Sequence, residues 1–346
     1  MKSSQTILKG KIPRDCWAII SVTVLVAFLM LSFNSWLIRS VCATTTHSVK
    51  RAGCSWLSIF YPPEIAKHPN AIDKSWLASW IEKEKAAAFF EGEVMNSAVT
   101  GEPLPDALGQ GKNHNRQASV YAYPTVEVRA AMRNESSLAG GRRMAFLTFD
   151  DGISTQSTPL LLDILKAEGV PATFFVLGKY CTEETKPLLE RIFKEGHALA
   201  YHSFTHSYKK MYPGRCGNTE AILEEYLQSR DRITELLGSE VDIRIWRYPG
   251  GHMSWRGLDE ADQALQAYGV IWIDWNAMTG DAEGRRAPTT VEGQIQHVFN
   301  DWKIYGQPNV ITILMHDDPN KELTRQSLPQ LIAALRNEGF SFGILE

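Results

Sequence analysis

The sequence predicts an α/β fold, a distorted (β/α)7-type barrel over residues 142–346, preceded by a transmembrane helix and a mixed N-terminal region. Three observations lead there. Short apolar runs alternate with amphipathic helical ones through the C-terminal part, the pattern of βα units around a parallel sheet. Gly169, Gly196, Gly269 and Gly339 each follow a helical segment, where a left-handed C-cap favours glycine. No glycine-rich dinucleotide loop follows the first strand, which argues against an open doubly wound sheet.

Taken in order, residues 1–15 are a basic tail with Lys2, Lys9, Lys11 and Arg14. The apolar run within 16–38 has no polar face and is long enough for a bilayer core of about 30 Å. Positive charge upstream places the tail in the cytoplasm and the rest outside. A single-pass anchor is expected; cleavage after Ala43, at a small-residue site, would instead release the protein. Residues 39–141 read as an extracytoplasmic stem, with a helix from Asp73 to Glu91 carrying Trp76, Leu77, Trp80 and Ile81, and a linker from Gly109 to Ser119. The aromatic cluster fits a packing module, a membrane contact or a glycan site.

Within 142–346 the strands are expected at Ala145–Phe149, Ala172–Leu177, Ala198–Tyr201, Ile243–Arg247, Val270–Trp275, Val310–Met315 and Phe340–Leu345. Helices are expected at 157–168, 184–195, 219–237, 258–268, 289–302 and 325–338. The net charge of −3 shows no basic excess, so nucleic acid is excluded as a partner. Among five cysteines no metal-type spacing occurs; Cys181 and Cys216 could form a bridge or stay as buried thiols.

In a barrel the chemistry belongs at the C-terminal strand ends. The first strand ends in Asp150-Asp151-Gly152, where one carboxylate can bind a metal while its neighbour stays free. The third ends in His202 and His206, which can converge on one ion if the segment makes a helical turn. Arg247, at the fourth, can fix a carboxylate. His316 emerges from an apolar strand as a candidate general acid.

Together Thr148-Phe149-Asp150-Asp151-Gly152, His202-Ser203-Phe204-Thr205-His206, Arg247-Tyr248-Pro249 and Leu314-Met315-His316 resemble the motifs of the polysaccharide deacetylases, carbohydrate esterase family four, in the family's order across 142–346. More narrowly, the chain is similar to membrane-anchored peptidoglycan N-acetylglucosamine deacetylases. The resemblance implies a distorted (β/α) barrel that hydrolyses acetyl groups on glycans. It implies a divalent ion, zinc by expectation, on Asp151, His202 and His206. It makes Asp150 the general base, Arg247 its orienting partner and His316 the acid that protonates the leaving amine. Tyr248, Pro249, Gly250 and Leu314 would contact substrate, with a backbone N–H near Tyr248 or Gly250 helping to hold the oxyanion.

One motif departs from the family pattern. Asp281-Ala282 stands where an Asp-Trp pair is expected, so Asp281 keeps the role of supporting His316 and the tryptophan wall is missing. Trp275 or Trp255 could replace the wall, and Asp274 is a second candidate for the supporting role. The expected activity is metal-dependent N-deacetylation of a cell-wall aminosugar polymer, foremost peptidoglycan. Chitooligosaccharide, an exopolysaccharide or acetylated xylan are alternatives, as is a non-catalytic glycan-binding barrel. A monomer is expected.

Overall fold

The computed structural model describes residues 112–346. The readings made for residues 1–111, among them the span at 16–38, the Ala43 site and the helix at 73–91, lie outside the described residues. Among the described residues no helix is long and apolar enough to cross a membrane.

A short 3-10 turn at Gln117–Val120 leads into β1 (Ala122–Tyr123) and α1 (Thr125–Met132). The chain then alternates through β2 (Met144–Asp150), α2 (Thr158–Glu168), β3 (Thr173–Val176), α3 (Lys186–Lys194), β4 (Ala198–Tyr201), the single turn α4 (Tyr208–Met211) and α5 (Thr219–Leu237). It continues with β5 (Ile245–Trp246), α6 (Asp259–Ala267), β6 (Ile271–Trp272), β7 (Ala277–Met278), α7 (Val291–Ile304), β8 (Val310–His316) and α8 (Glu322–Asn337). Two short strands, β9 (Ser341–Phe342) and β10 (Ile344–Leu345), end it.

The main sheet is parallel throughout, in the order β6-β5-β4-β3-β2-β8-β7, with β9 pairing the first residues of β2. Every residue of β2 is buried, because a central parallel strand is covered on both faces. The two edge strands, β6 and β7, are separated in the chain only by residues 273–276. Such a segment reaches at most about 17 Å, so the sheet must curl until its edges meet. The expected barrel is thus curled, but it is closed by the chain and not by a hydrogen-bonded ladder. The continuous strand expected at 270–275 is broken for the same reason. Ile273 N–H still bonds Trp246 O at 3.0 Å, whereas Asn276 N–H bonds Thr312 O at 3.2 Å. The segment has changed partner between those residues.

Strand alternation sorts the side chains into two cores. Ala145, Leu147 and Phe149 of β2, with Phe174, Leu199, Trp246, Ile313 and Met315, face the surrounding helices. Met144, Phe146, Phe175, Ala200 and Ile245 face the concave side, where Val128 and Met132 of α1 pack against them.

This corrects the reading of the region before residue 142. Its described part is built into the domain and is neither linker nor stem. The Asn113 side chain donates to Leu199 O and Leu345 O, each at 2.9 Å, and β1 pairs with β10. The last strand, expected to be continuous, divides at Gly343, where a Cβ would meet Phe146, Tyr123 and the Tyr121 carbonyl at 3.0 Å. The Cys181–Cys216 alternatives resolve against a bridge. Cys181 is a buried free thiol, pushed up to about 12 by burial, and Cys216 is exposed.

Candidate active site

The concave-facing column of β2 runs Phe146, Thr148, Asp150, and the same alternation on β8 gives Thr312, Leu314, His316. The β2–β8 register sets Asp150 directly beside His316. Two chemically different groups are therefore neighbours because two parallel strands end at one level.

Asp151 should face the other side of the sheet, but its backbone is left-handed, with φ of 70°. That turn brings its carboxylate back to the same rim. The His202–His206 segment likewise departs from expectation. It is not a helical turn: Ser203 and His206 have φ of 73° and 59°. A buried glutamate on α5 holds the loop. Glu225 accepts from the backbone N–H groups of Phe204 (2.9 Å) and Thr205 (2.6 Å), the Thr205 hydroxyl (2.8 Å) and Lys210 Nζ (3.0 Å). Burial pushes the Glu225 pKa up, yet these donors outweigh it and keep the carboxyl below its ordinary value. The residue was missed in the sequence, although a glutamate among Ala221, Ile222, Tyr226, Ser229 and Ile233, on the buried face of α5, is a signal.

The result is a triad. Asp151 Oδ1 lies 3.5 Å from His202 Nε2 and 3.4 Å from His206 Nε2, and all three ligand atoms lie within 4.8 Å of one another. His202 Nδ1 donates to Arg247 O at 2.9 Å, since a carbonyl can only accept. Burial pushes the His202 pKa down to about 3, so the ring is neutral and its Nε2 presents a lone pair. That lone pair faces the oxygens of Asp150 and Asp151 at 3.6 and 3.5 Å. Asp151 Oδ1 is itself buried and has no hydrogen-bond partner. Electron pairs converging from an anionic oxygen and a neutral imidazole repel unless a cation lies between them, so the donor set fits a divalent metal ion.

Asp150 is almost wholly buried and takes its charge partner from Arg247, which is fully buried. One guanidinium nitrogen of Arg247 donates to Asp150 Oδ1 and to the Thr148 hydroxyl, both at 2.8 Å. The others reach Ile273 O (3.1 Å) and Asp274 O (3.2 Å), and the group lies 3.9 Å from the centre of the Phe175 ring. Desolvation raises the Asp150 pKa and outweighs the pull of Arg247, leaving the carboxyl above its ordinary value.

His316 Nδ1 donates to Asp281 Oδ1 at 2.7 Å, and its backbone N–H donates to Asp281 Oδ2 at 3.1 Å. Thr324 Oγ1 also donates to Asp281 (2.9 Å), and Lys321 Nζ bonds its carbonyl (2.6 Å). Burial lowers the His316 pKa, but the Asp281 hydrogen bond and charge, with Asp150 and Asp151, leave it above the ordinary histidine value. Asp274, the second candidate for this contact, does not touch His316. Its oxygens accept from the backbone N–H of His252 (2.8 Å) and Met253 (3.1 Å).

Of the residues expected to meet substrate, Leu314 lies on the concave face two residues below His316. Tyr248 does not place its side chain there. It follows Arg247, so alternation turns it outward, and its hydroxyl donates to Asp262 at 2.7 Å. Only its backbone remains near the site; the Tyr248 N–H donates to no carbonyl among the described residues. Pro249 and Gly250 support an aromatic wall. Trp255 Nε1 donates to Pro249 O at 2.8 Å, and a Cβ on Gly250 would press on Trp255 and Tyr208 at 3.2 and 3.3 Å. Tyr208 lies 5.0 Å from His206 and 5.2 Å from Trp255, ring centre to ring centre, and is 45% exposed. The Trp275 ring centre lies 5.7 Å from the Arg247 guanidinium.

A curled parallel sheet whose C-terminal rim gathers an arginine-paired carboxylate, an Asp-His-His triad and an aspartate-backed histidine has the groups of a metal-dependent hydrolase. The chain belongs to the polysaccharide deacetylase family, whose model matches residues 137–270. A Bacillus subtilis protein that carries the polysaccharide deacetylase name is 35% identical over 60% of this chain and 68% of its own length. A Bacillus cereus peptidoglycan-N-acetylglucosamine deacetylase is 28% identical over 58% of this chain and 68% of its own. Among solved structures, a carbohydrate esterase family four enzyme from Streptococcus mutans superposes with a TM-score of 0.67 at 44% identity, covering 70% of this chain and all of that one.

Proposed function

We propose that the protein removes N-acetyl groups from a cell-wall aminosugar polymer, foremost the N-acetylglucosamine of peptidoglycan. The observation that carries this is the pair of differently supported groups flanking the triad, Asp150 on Arg247 and His316 on Asp281. The Bacillus cereus relative's substrate supports the choice of polymer. Asp151, His202 and His206 would hold a divalent ion, zinc by its donor set, and that ion supplies a Lewis acid that acidifies water and polarises the acetyl carbonyl.

Asp150, paired with Arg247, takes a proton from the attacking water. Water adds to the amide carbon, and the Tyr248 N–H would bond the oxygen as it gains charge. His316, its pKa raised by Asp281, then gives its Nε2 proton to the sugar nitrogen as the C–N bond breaks. Acetate and the free amine are the products. The apolar run at 16–38, with its basic upstream residues, supports a single-pass anchor that keeps this domain beside the wall, or a secreted form if Ala43 is the cleavage point. The protein is proposed to act as a monomer.

Acetate release from purified peptidoglycan by the full-length chain tests the reading, before and after chelation and with zinc restored. Release that stops with chelator and returns with zinc is expected. Release that favours chitooligosaccharide or acetylated xylan instead would move the substrate, and chelator-insensitive release would remove the ion from the reaction.

A further inference from the structure

A cavity of about 290 Å³ lies along the seam where the barrel is closed by chain alone. Its walls include Arg129 and Arg133 from the end of α1, Trp272 and Trp275 from the seam, His252, and Tyr305 after α7. None of these carries the chemistry described above, yet the two places adjoin. Arg247 bonds the Asp274 carbonyl at 3.2 Å, and the Trp275 ring is 5.7 Å from its guanidinium.

The charges in this cavity are unusual. Arg129 and Arg133 are four residues apart on one helical face, an arrangement in which like charges repel. Neither guanidinium has an ion-pair partner among the described residues. Arg129 donates to Trp272 O at 2.9 Å and lies 4.5 Å over the Trp272 ring, while Arg133 is exposed. Asp274 also lines the cavity, but both its oxygens are engaged by the amides of residues 252 and 253. His252 stacks on Trp272 at 3.9 Å and bonds Asp262. Trp272 is covered by His252 and by Arg129, so what is left facing the space is the two guanidiniums beside the rings of Trp275 and Tyr305. The guanidinium fork matches a carboxylate, and flat aromatic rings match the C–H faces of a sugar. The volume sits near the lower end of small-molecule sites, room for one sugar-sized group.

We infer that this seam cavity is a subsite for a carboxylate-bearing sugar of the glycan, with Arg129 and Arg133 binding the carboxylate beside the residue being deacetylated. The inference rests on the proposed function for its choice of polymer. On a strand in which N-acetylglucosamine alternates with a lactyl-bearing N-acetylmuramic acid, the acidic sugar would occupy the cavity while its neighbour meets the triad.

The test is a titration of the full-length chain, read by tryptophan fluorescence. A tetrasaccharide of alternating N-acetylglucosamine and N-acetylmuramic acid is compared with N-acetylchitotetraose, which lacks the carboxylates. R129Q/R133Q should weaken binding of the acidic tetrasaccharide at least about tenfold, the worth of a charge-assisted pair, and change binding of the neutral one less than about twofold. R133E, at an exposed position, should give the same selective loss and covers the case in which the double variant does not fold. Hydrolysis of a small neutral acetyl ester should persist in both. Equal losses for the two tetrasaccharides, or no loss for either, would overturn the subsite. A wild-type chain that shows arginine-dependent carboxylate binding yet deacetylates neither compound would sink the proposed reaction and leave the subsite standing.

Discussion

Removing the Arg247 guanidinium should show how strongly the site depends on one buried charge pair. In R247M, Asp150 keeps its place at the end of β2 but loses the donor at 2.8 Å, its only guanidinium neighbour within ion-pair distance among the described residues. Both side chains are at most 3% exposed, so solvent cannot take over. Breaking one side of such a pair costs about 3–5 kcal/mol. At roughly 2–4 °C per kcal/mol for a domain of this size, the melting temperature should fall by about 6–20 °C. The stranded carboxylate relieves itself by taking up a proton, and a protonated Asp150 cannot accept one from water, so turnover should fall by about a hundredfold or more. Thermal unfolding followed by near-UV circular dichroism, in excess chelator so that metal affinity does not enter, reads the first effect. The double variant D150N/R247M carries neither charge and should melt several degrees above R247M. If the single-variant shifts simply add, or R247M melts within about 3 °C of the wild type, the pair is not what holds this strand end.

Three further perturbations separate the roles of the supporting residues. In D281N the charge that raises the His316 pKa is gone while burial still lowers it, so the protonated acid is lost at lower pH; the alkaline limb of kcat/KM should move to lower pH, and an unmoved limb would remove Asp281 from the acid's support. Y248F should leave kcat/KM within about twofold while costing about 1 kcal/mol of stability through the lost Asp262 bond, and a large activity loss would show that the ring does reach substrate. E225Q keeps the shape of the buried side chain but loses the charge that gathers four donors; metal affinity should weaken by about 10–100-fold, measured by competition with a chromophoric chelator, and an unchanged affinity would make Glu225 purely structural.

The strand ends were legible because parallel βα units repeat one pattern, and polar residues interrupting apolar runs stand out at Asp150, His202, Arg247 and His316. Asp281 was readable, even without its tryptophan neighbour, only through the resemblance to the family's fourth motif, which left Asp274 as a second candidate. What failed had local physical causes. Tyr248 follows Arg247, and period-two alternation alone turns it outward, an argument available from the sequence. Left-handed backbone at Asp151, Ser203 and His206 has no such signature, because none of these is a glycine; Glu225 on α5 supplies the constraint for the histidine loop from a distant part of the chain. Gly109–Ser119 read as linker, within a stem extending to residue 141, because the contacts of the described part are non-local. Asn113 bonds carbonyls 86 and 232 residues away, and Val128 and Met132 find their core only after the sheet has curled.

The central claim is that adjacent carboxylates divide the work, Asp151 holding the ion and Asp150 moving the proton. Acetate release by D150N, measured beside its bound metal content, tests this most directly. The expected result is a metal content equal to that of the wild type with turnover reduced by about a hundredfold or more. Turnover near the wild-type rate would contradict the account, and so would a variant that loses its metal along with its activity.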